Sequence, residues 1–450
     1  MRNAILPVLI LSVAIGIASA QPTDGDLILT YSDFKTFTTG AVLVVDPATH
    51  AWSTLATPPT GYGMVRMRMA ADNTNLVGMT ISSMGPPARR NNHVVQVSPS
   101  GVLSTVAVIP GLAVAMGIEL DHDGWILAVR ESPSQEALWA LQGKTLSTLF
   151  SMPRTQGWGY FMDMTIDRDP GAPPYVVGRR WGSLTTVTPI VQGMDRKGIV
   201  TTIYSGTRGS GLGMYLGCMG YIDMNPATGD YLICAGPSGG ATSLSLVATM
   251  SKDGSKITTL QTASTITFPY ASKFCQDGTA WIANIVHQNG IALHKLDIGE
   301  NKIVWSQAIQ TPAATFPTGI EVYGSRTLVC SQTSPAAVNV SVKSHHGFVV
   351  PGRTQYALAA SMARRPGLNF VHGERLNLDV TDPLFTISAL NLAPSIFQDF
   401  QGKLAQNRNA TAKVNIPAEA RGLGLSVFVA GVIYNQSGIF QVTNTHWFVL

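Results

Sequence analysis

The residues that could do chemistry in this chain form a widely spaced set of charged side chains. Alternate residues of a strand share a face, so polar residues separated by one apolar residue, as at Asp163 and Thr165 around Met164, should project to the same side. Carboxylate oxygens are ligands for Ca²⁺ or another divalent cation, and basic side chains could hold an anionic ligand. The carboxylates are Glu119, Asp163, Asp223 and Glu321, and the basic residues are Arg66, Arg68 and Lys273.

Three interpretations of this set remain open. Buried charges must be paired, so mutual ion pairing accounts for all of these residues without a ligand. A ligand or metal site is the second interpretation, with the four carboxylates as the metal ligands. A catalytic site is the third. The chain contains only 12% charged residues, so even their concentration in a few segments is informative.

Composition limits the class of protein. The chain has 450 residues, 45% of them hydrophobic, and a formal net charge of +4. Its 44 glycines and 26 prolines suit a fold with many turns. The paired basic residues Arg89-Arg90, Arg179-Arg180 and Arg364-Arg365 are isolated from one another. A nucleic-acid partner needs a clustered basic stripe, so we expect none.

The first twenty residues resemble a targeting segment. Arg2 precedes an apolar run from Ala4 to Ile17, and Ala18-Ser19-Ala20 provides a small-residue cleavage site before Gln21. We therefore expect residues 1–20 to be a signal peptide and the mature protein to be secreted or periplasmic. No later run is long enough to span a membrane. We expect a monomer.

A strand, turn and strand pattern recurs along the chain. One copy runs from Gly117 through the Asp123-Gly124 turn to Val129, and others surround Pro226 and Gly278. Segments that open such units lie 45 to 58 residues apart, and about four short strands fit in each unit. This is the period of a β-propeller blade. The openers begin near Arg66, Met116, Phe161, Met219, Tyr270 and Thr318.

These repeats predict an all-β protein with two folded domains. Residues 25–333 are expected to form a six-bladed β-propeller, with seven blades as the alternative. The three strands before Arg66 should join the last opener in a composite blade that closes the ring and removes exposed edges. Residues 340–450 carry short strands joined by turns, which predicts a C-terminal β-sandwich. The charged set would then line the propeller channel.

The cysteines allow one disulfide. Cys218 and Cys234 are symmetric about Pro226, as are Tyr221 and Tyr231. If the hairpin turns there, the two sulfurs face each other across neighbouring strands. The alternative is that both are buried free thiols, which are common as small hydrophobic residues.

Two resemblances follow from these motifs. Asp123-Gly124-Trp125-Ile126, and Asp277-Gly278 with Trp281-Ile282, look like blades of the superfamily that holds NHL-repeat, streptogramin lyase-like and gluconolactonase-like proteins. That resemblance implies a propeller. Its lyase-like members act through a His and a Glu at the channel mouth, but no His opens an inner strand here. Residues 345–450 resemble a β-sandwich that trails uncharacterised secreted bacterial proteins.

Together these features predict an exported, non-catalytic propeller that acts as a binding module. Its partner would be a small molecule, a glycan or a protein. The alternative is a metal-assisted hydrolase or lyase that acts at the channel through Glu119, Asp163, Asp223 and Glu321.

Overall fold

The fold is given by a computed structural model, and the predicted signal segment lies outside the residues that it describes. The structure describes residues 21–450 apart from 24, 34–37, 71–73, 83–90, 112, 122–123, 133, 154–159, 168–172, 182–187, 196, 206–216, 226–228, 238–245, 263–265, 267, 276–278, 287–289, 313–314, 325–327, 345–352, 364–367, 370–374, 377, 406–408, 436–437 and 444.

The first two thirds of the described chain fold into four-stranded antiparallel sheets. Strands β1 to β3 belong to a closing blade, and blades 1 and 2 follow with four consecutive strands each. The strands are β1 (Leu27–Asp33), β2 (Gly40–Val45), β3 (Trp52–Ala56), β4 (Tyr62–Met69), β5 (Leu76–Ser82), β6 (Asn92–Val97), β7 (Leu103–Ile109), β8 (Val114–Asp121), β9 (Gly124–Ser132), β10 (Gln135–Gln142) and β11 (Thr145–Pro153).

Blades 3, 4 and 5 repeat the same arrangement, and one further strand returns to the closing blade. The strands are β12 (Tyr160–Ile166), β13 (Tyr175–Trp181), β14 (Thr188–Met194), β15 (Val200–Ser205), β16 (Gly217–Met224), β17 (Tyr231–Pro237), β18 (Leu246–Met250), β19 (Ile257–Thr262), β20 (Pro269–Phe274), β21 (Thr279–Val286), β22 (Gly290–Asp297), β23 (Lys302–Ile309) and β24 (Thr315–Val322).

The closing blade joins the two ends of this region. Strand β24 pairs antiparallel with β1, with Ile320 opposite Leu29 and Glu321 opposite Ile28. The first strands of the blades (β4, β8, β12, β16, β20 and β24) each contact the next, and β24 contacts β4. Within the described residues, six four-stranded sheets therefore surround one axis. This is an all-β propeller, as the sequence predicts.

Burial explains why the inner and outer strands differ in sequence. Outer strand β23 alternates exposed and half-buried residues, with Lys302 and Val304 outward and Ile303 and Trp305 inward. A strand with one solvated face is expected to alternate in this way. Inner strand β4 is buried along nearly its whole length, because neighbouring blades cover both faces.

Apolar side chains between blades hold the ring together. Ile118 of β8 is fully buried and packs in a cluster with Val65 and Met79 of blade 1 and Leu127 and Val129 of blade 2. Similar clusters lie between the other blades. Because each cluster draws on two or three blades, the apolar faces of a blade are buried by its neighbours.

Among the described residues, three further sheets follow the propeller, and the two larger ones share one hydrophobic cluster. Helix α1 (Pro383–Ala389) packs on β27, and the Asp382 side chain caps it by accepting from Leu384 N. A 3-10 helix spans Ala418–Ala420. The strands are β25 (Leu328–Ser334), β26 (Ala337–Lys343), β27 (Gln355–Ser361), β28 (Leu368–Asn369), β29 (Arg375–Leu376), β30 (Phe397–Gln398), β31 (Gln401–Lys403), β32 (Asn409–Asn415), β33 (Ser426–Asn435), β34 (Gly438–Val442) and β35 (His446–Val449).

The predicted boundary between the two regions is wrong by one strand. Residues 25–333 were expected to form the propeller, but its last strand ends at Val322. Strand β25, Leu328–Ser334, pairs with β26 in the first C-terminal sheet, whereas the prediction began the second domain at residue 340. The apolar pattern of β25 suits either sheet, so only the pairing reveals its place.

The predicted disulfide is also wrong. The hairpin pairs Met224 with Tyr231 and Tyr221 with Cys234, not Tyr221 with Tyr231. The backbone of Cys218 therefore lies opposite Gly236. Cys234 is a buried free thiol, and burial raises its pKa to about 12. Among the described residues there is also no helix with the length and apolar character of a membrane-crossing segment.

Replacing Ile118 by Ala should destabilise the propeller by about 2–5 kcal/mol, because it leaves a cavity between blades 1 and 2. Urea unfolding of the mature chain followed by fluorescence measures this loss. Val304→Ala removes carbon from a residue that is 49% exposed, and it should change the free energy of unfolding by less than about 0.5 kcal/mol. Equal losses in the two variants would contradict the packing described.

Candidate axial site

A β-bulge interrupts each of the six inner strands that the structure describes. In each of these strands, the pairing with the adjacent strand skips one residue, which has no opposite partner. Such bulges bend a strand and redirect its side chains. Here they occur close to the predicted opening positions, at Arg66, Met116, Met162, Gly220, Tyr270 and Thr318.

The bulge in β4 places Arg66 at the centre of the ring. Arg66 has a φ of 49°, in the left-handed region, and its side chain is fully buried. Its Nη2 donates to Asp163 Oδ2 of β12, two blades further on. Its guanidinium lies 4.5 Å from the centroid of the Tyr221 ring in β16. One side chain thus connects blades 1, 3 and 4.

The two carboxylate oxygens of Asp163 differ in their hydrogen bonding. Its Oδ2 accepts from Arg66 and from Ile222 N at 3.0 Å. Its Oδ1 is buried and has no hydrogen-bond partner among the described residues. Burial raises the pKa of Asp163 to about 7, against the opposing effect of Arg66 and Arg68. Desolvation therefore outweighs the favourable charges at this carboxyl group.

Arg68 connects blades 1 and 2 with the closing blade. Its Nε lies 2.5 Å from Glu119 Oε1 and 3.9 Å from Glu321 Oε2, and its Nη1 donates to Ile320 O at 3.3 Å. Burial alone would lower the pKa of Arg68, but Glu119, Glu321 and more distant carboxylates outweigh it and raise the pKa. Burial alone would likewise raise the pKa of Glu119, but Arg68 and Lys273 hold it below its ordinary value.

The remaining charged residues complete the set. Lys273 Nζ lies 3.3 Å from Glu321 Oε2, and Glu321 Oε1 accepts from Val322 N at 3.0 Å. Asp223 accepts from Phe274 N at 2.7 Å and from Met224 N at 3.0 Å. The structure thus brings all seven predicted residues into one set, which we call the axial cluster: Arg66, Arg68, Glu119, Asp163, Asp223, Lys273 and Glu321.

Burial is uneven across the axial cluster. The side chains of Arg66 and Asp163 are 0% and 1% exposed, whereas those of Glu119 and Lys273 are 15% and 21% exposed. The cluster therefore has a sealed side at Arg66 and Asp163. Its accessible side is at Glu119 and Lys273.

The metal site predicted at the four carboxylates stays a prediction. Among the described residues, no group of three or more His, Cys, Asp and Glu side chains lies close enough together to hold a metal ion. The four carboxylates instead face Arg66, Arg68, Lys273 or backbone amides. Mutual pairing accounts for part of the charged set, but Arg66 Nε and Nη1, Arg68 Nη2 and Asp163 Oδ1 are buried without a hydrogen-bond partner among the described residues.

The sequence did not single out two residues that support the cluster. Tyr221 OH donates to Thr318 O at 2.9 Å, which joins blade 4 to the closing blade. Thr318 Oγ1 donates to Met64 O at 2.7 Å. Tyr221 occupies the same position in its inner strand as Asp163 does in β12, and this shared position was the available signal. Thr318 is a bulge residue, and nothing in its neighbours marks it.

Two glycines, Gly117 and Gly319, allow the inner strands to approach each other closely around the axial cluster. A Cβ at Gly319 would lie 2.9 Å from Arg66 Cα, and one at Gly117 would lie 2.9 Å from Met164 N. Real Cβ atoms do not approach backbone this closely, so these strands can sit side by side near the axis only with glycine at both positions.

Comparison with known proteins finds solved structures that are similar to this chain. The chain has the β-propeller fold that its sequence resemblance implies. No protein family and no curated protein matches the sequence. Solved structures similar to it include a candidate 6-phosphogluconolactonase from Bacteroides fragilis, with 10% identity, a TM-score of 0.42, and coverage of 67% of this chain and 99% of that one.

Two enzymes are also among the similar structures. An oligogalacturonate lyase from Vibrio parahaemolyticus has 11% identity and a TM-score of 0.36, and the match covers 56% of this chain and 73% of that one. A puromycin hydrolase has 9% identity and a TM-score of 0.39, with 74% and 60% covered. These likenesses carry no argument about activity.

Replacing Arg68 by Met should destabilise the protein by about 3–5 kcal/mol, because Glu119 and Glu321 lose a buried counter-charge. Chemical denaturation at pH 7 measures this. Arg353→Met makes the same chemical change at an exposed residue and should shift the free energy of unfolding by less than about 0.5 kcal/mol. An Arg68→Met protein as stable as the Arg353→Met protein would refute the pairing.

Proposed function

We propose that this protein is an exported, non-catalytic β-propeller with a C-terminal β-sandwich, and that it binds a small molecule, a glycan or a protein. The mature chain acts as a monomer without a nucleic-acid partner. The observation that supports this is the internal pairing of the axial cluster. Acids and bases already paired with each other are poorly placed to exchange protons with a substrate.

The accessible side of the axial cluster is the proposed binding surface. Glu119 and Lys273 offer an acceptor and a donor that remain partly exposed. Arg68 pairs with Glu119, and Glu321 pairs with Lys273; both of these partners are almost completely buried. Polar groups held in place by buried neighbours lose little freedom when they bind a ligand.

One sequence feature favours an enzyme and must be tested. Gly236-Pro237-Ser238-Gly239-Gly240 has the spacing of a Gly-x-Ser-x-Gly nucleophile motif. That motif acts at a turn from a strand into a helix. Here the segment joins the antiparallel pair β17 and β18, and Ser238 itself lies outside the described residues.

The proposal predicts saturable binding that depends on the accessible side of the cluster. A glycan array and a small-metabolite library would be screened with the mature protein, and calorimetry would measure the tightest binder found. The double variant Glu119→Gln/Lys273→Met should bind it at least about tenfold more weakly, which corresponds to about 1.4 kcal/mol. The matched variant Glu300→Gln/Lys302→Met changes two exposed residues and should bind unchanged.

Enzymatic turnover would overturn the proposal. Lactones and cyclic esters would be incubated with the mature protein, with and without a chelator, and elemental analysis would measure bound metal. Turnover lost on chelation would instead indicate the metal-assisted hydrolase or lyase. Turnover that Ser238→Ala abolishes would indicate a serine hydrolase.

A further inference from the structure

Three polar side chains outside the axial cluster form a hydrogen-bonded chain across consecutive strands of blade 5. Asn284 lies in β21, His294 in β22 and Ser306 in β23. Ser306 Oγ lies 2.7 Å from His294 Nδ1, and His294 Nε2 lies 2.9 Å from Asn284 Oδ1. A hydroxyl, an imidazole within hydrogen-bond reach and a third group that orients the imidazole are the parts of an activated nucleophile.

Strand pairing brings these residues together. His294 is directly opposite Ser306 in the ladder between β22 and β23. Asn284 is opposite Ala292, two residues before His294, so it lies diagonally from the imidazole on the same face of the blade. Side chains at opposite and diagonal positions of antiparallel strands interact with each other. No local motif marks the three residues in the sequence, because they meet only through this register.

The hydrogen bonds of this chain have a defined direction. Asn284 Nδ2 donates to Ile285 O at 3.3 Å, so the amide oxygen is the atom that faces His294. An amide oxygen only accepts, and His294 Nε2 must therefore carry the hydrogen. In the neutral imidazole, Nδ1 then has a lone pair and accepts from the Ser306 hydroxyl. Burial lowers the pKa of His294, which favours this neutral form.

Burial increases from the hydroxyl to the amide. Ser306 is exposed and His294 is half-buried, whereas Asn284 is only 3% exposed. The imidazole is therefore held from its buried side, and the hydroxyl is open to solvent. Ala308 and Ala292 lie two residues from Ser306 and His294 and share their face. Since both are small and uncharged, a compact acyl group can reach Ser306 Oγ.

Strand β23 also offers donors for a developing negative charge. It is the outermost strand of its four-stranded sheet. The free edge of such a strand presents backbone N–H groups to solvent. Backbone N–H groups stabilise the charge that develops on a carbonyl oxygen during acyl transfer. A carbonyl group placed at Ser306 would therefore lie beside groups of this kind.

We propose that Ser306 is a nucleophile that accepts acyl groups from esters, with His294 as its general base and Asn284 as the residue that positions the imidazole. Ser306 Oγ forms a bond to the carbonyl carbon, and its proton passes to His294 Nδ1. The bond from that carbon to the alcohol oxygen breaks, and the proton leaves with the alcohol. The products are O-acylated Ser306 and a free alcohol. This reaction goes beyond the ligand binding proposed at the axial cluster.

Acetylation by p-nitrophenyl acetate tests the proposal. The mature wild type should release a burst of about one equivalent of p-nitrophenol, and peptide mass mapping should place an acetyl group on Ser306. Ser306→Ala should show neither. His294→Gln cannot take up the proton and should be acetylated at least about a hundredfold more slowly. Ser104→Ala removes an exposed serine of outer strand β7 whose Oγ donates to Gln96 O, and it should react as the wild type does.

A second pair of variants tests the positioning role of Asn284. Asn284→Leu removes the acceptor for His294 Nε2 and should slow acetylation of Ser306 by at least about tenfold. Asn284→Asp restores an acceptor oxygen and should recover most of this loss. Recovery by Asp separates positioning of the imidazole from a purely structural role. Equal rates in the two variants would contradict the role of Asn284.

Two results would overturn the proposal as a whole. One is an acetyl group found only on other residues, and the other is acetylation of Ser306 that is as fast in His294→Gln as in the wild type. Continued release of p-nitrophenol after the burst, abolished by Ser306→Ala, would support the nucleophile. That result would overturn only the non-catalytic part of the proposed function. Loss of ligand binding at the axial cluster would leave the result at Ser306 unchanged.

Discussion

The propeller depends on a buried ion pair at its axis, between Arg66 of the first blade and Asp163 of the third. Both side chains are almost completely buried, and removing such charges from water costs several kcal/mol each. The left-handed backbone at Arg66 and the close approach permitted by Gly117 and Gly319 both serve this contact. Once the pair forms, the blades that carry it are fixed relative to each other.

The rest of the axial cluster extends from this pair toward an accessible side. Arg68 links Glu119 to Glu321, and Lys273 lies beyond them with more of its side chain in solvent. The sealed side connects the inner strands of blades 1, 3 and 4 through Arg66. The accessible side, at Glu119 and Lys273, is the proposed binding surface.

The propeller fold and the grouping of the charged residues could be predicted from the sequence, because side chains along a strand alternate between two faces. That period placed Glu119, Asp163, Asp223 and Glu321 on one side of their strands, and the spacing of the openers gave the propeller. What failed depended on register. The Tyr221 and Cys234 pairing and the place of Leu328–Ser334 are set by which residues meet across strands, and apolar alternation is the same for several choices. The bulges at Arg66 and Thr318 were not predictable for the same reason.

The most direct test of the axial pair is a double-mutant cycle with Arg66→Met, Asp163→Leu and the double variant, measured by denaturant unfolding at pH 8.5. Each single change leaves a buried charge without its partner, while the double change leaves none. The summed losses of the two single variants should therefore exceed the loss of the double variant by a coupling energy of about 1–3 kcal/mol. Losses that add within about 0.5 kcal/mol would show that Arg66 and Asp163 do not interact, which would contradict the account.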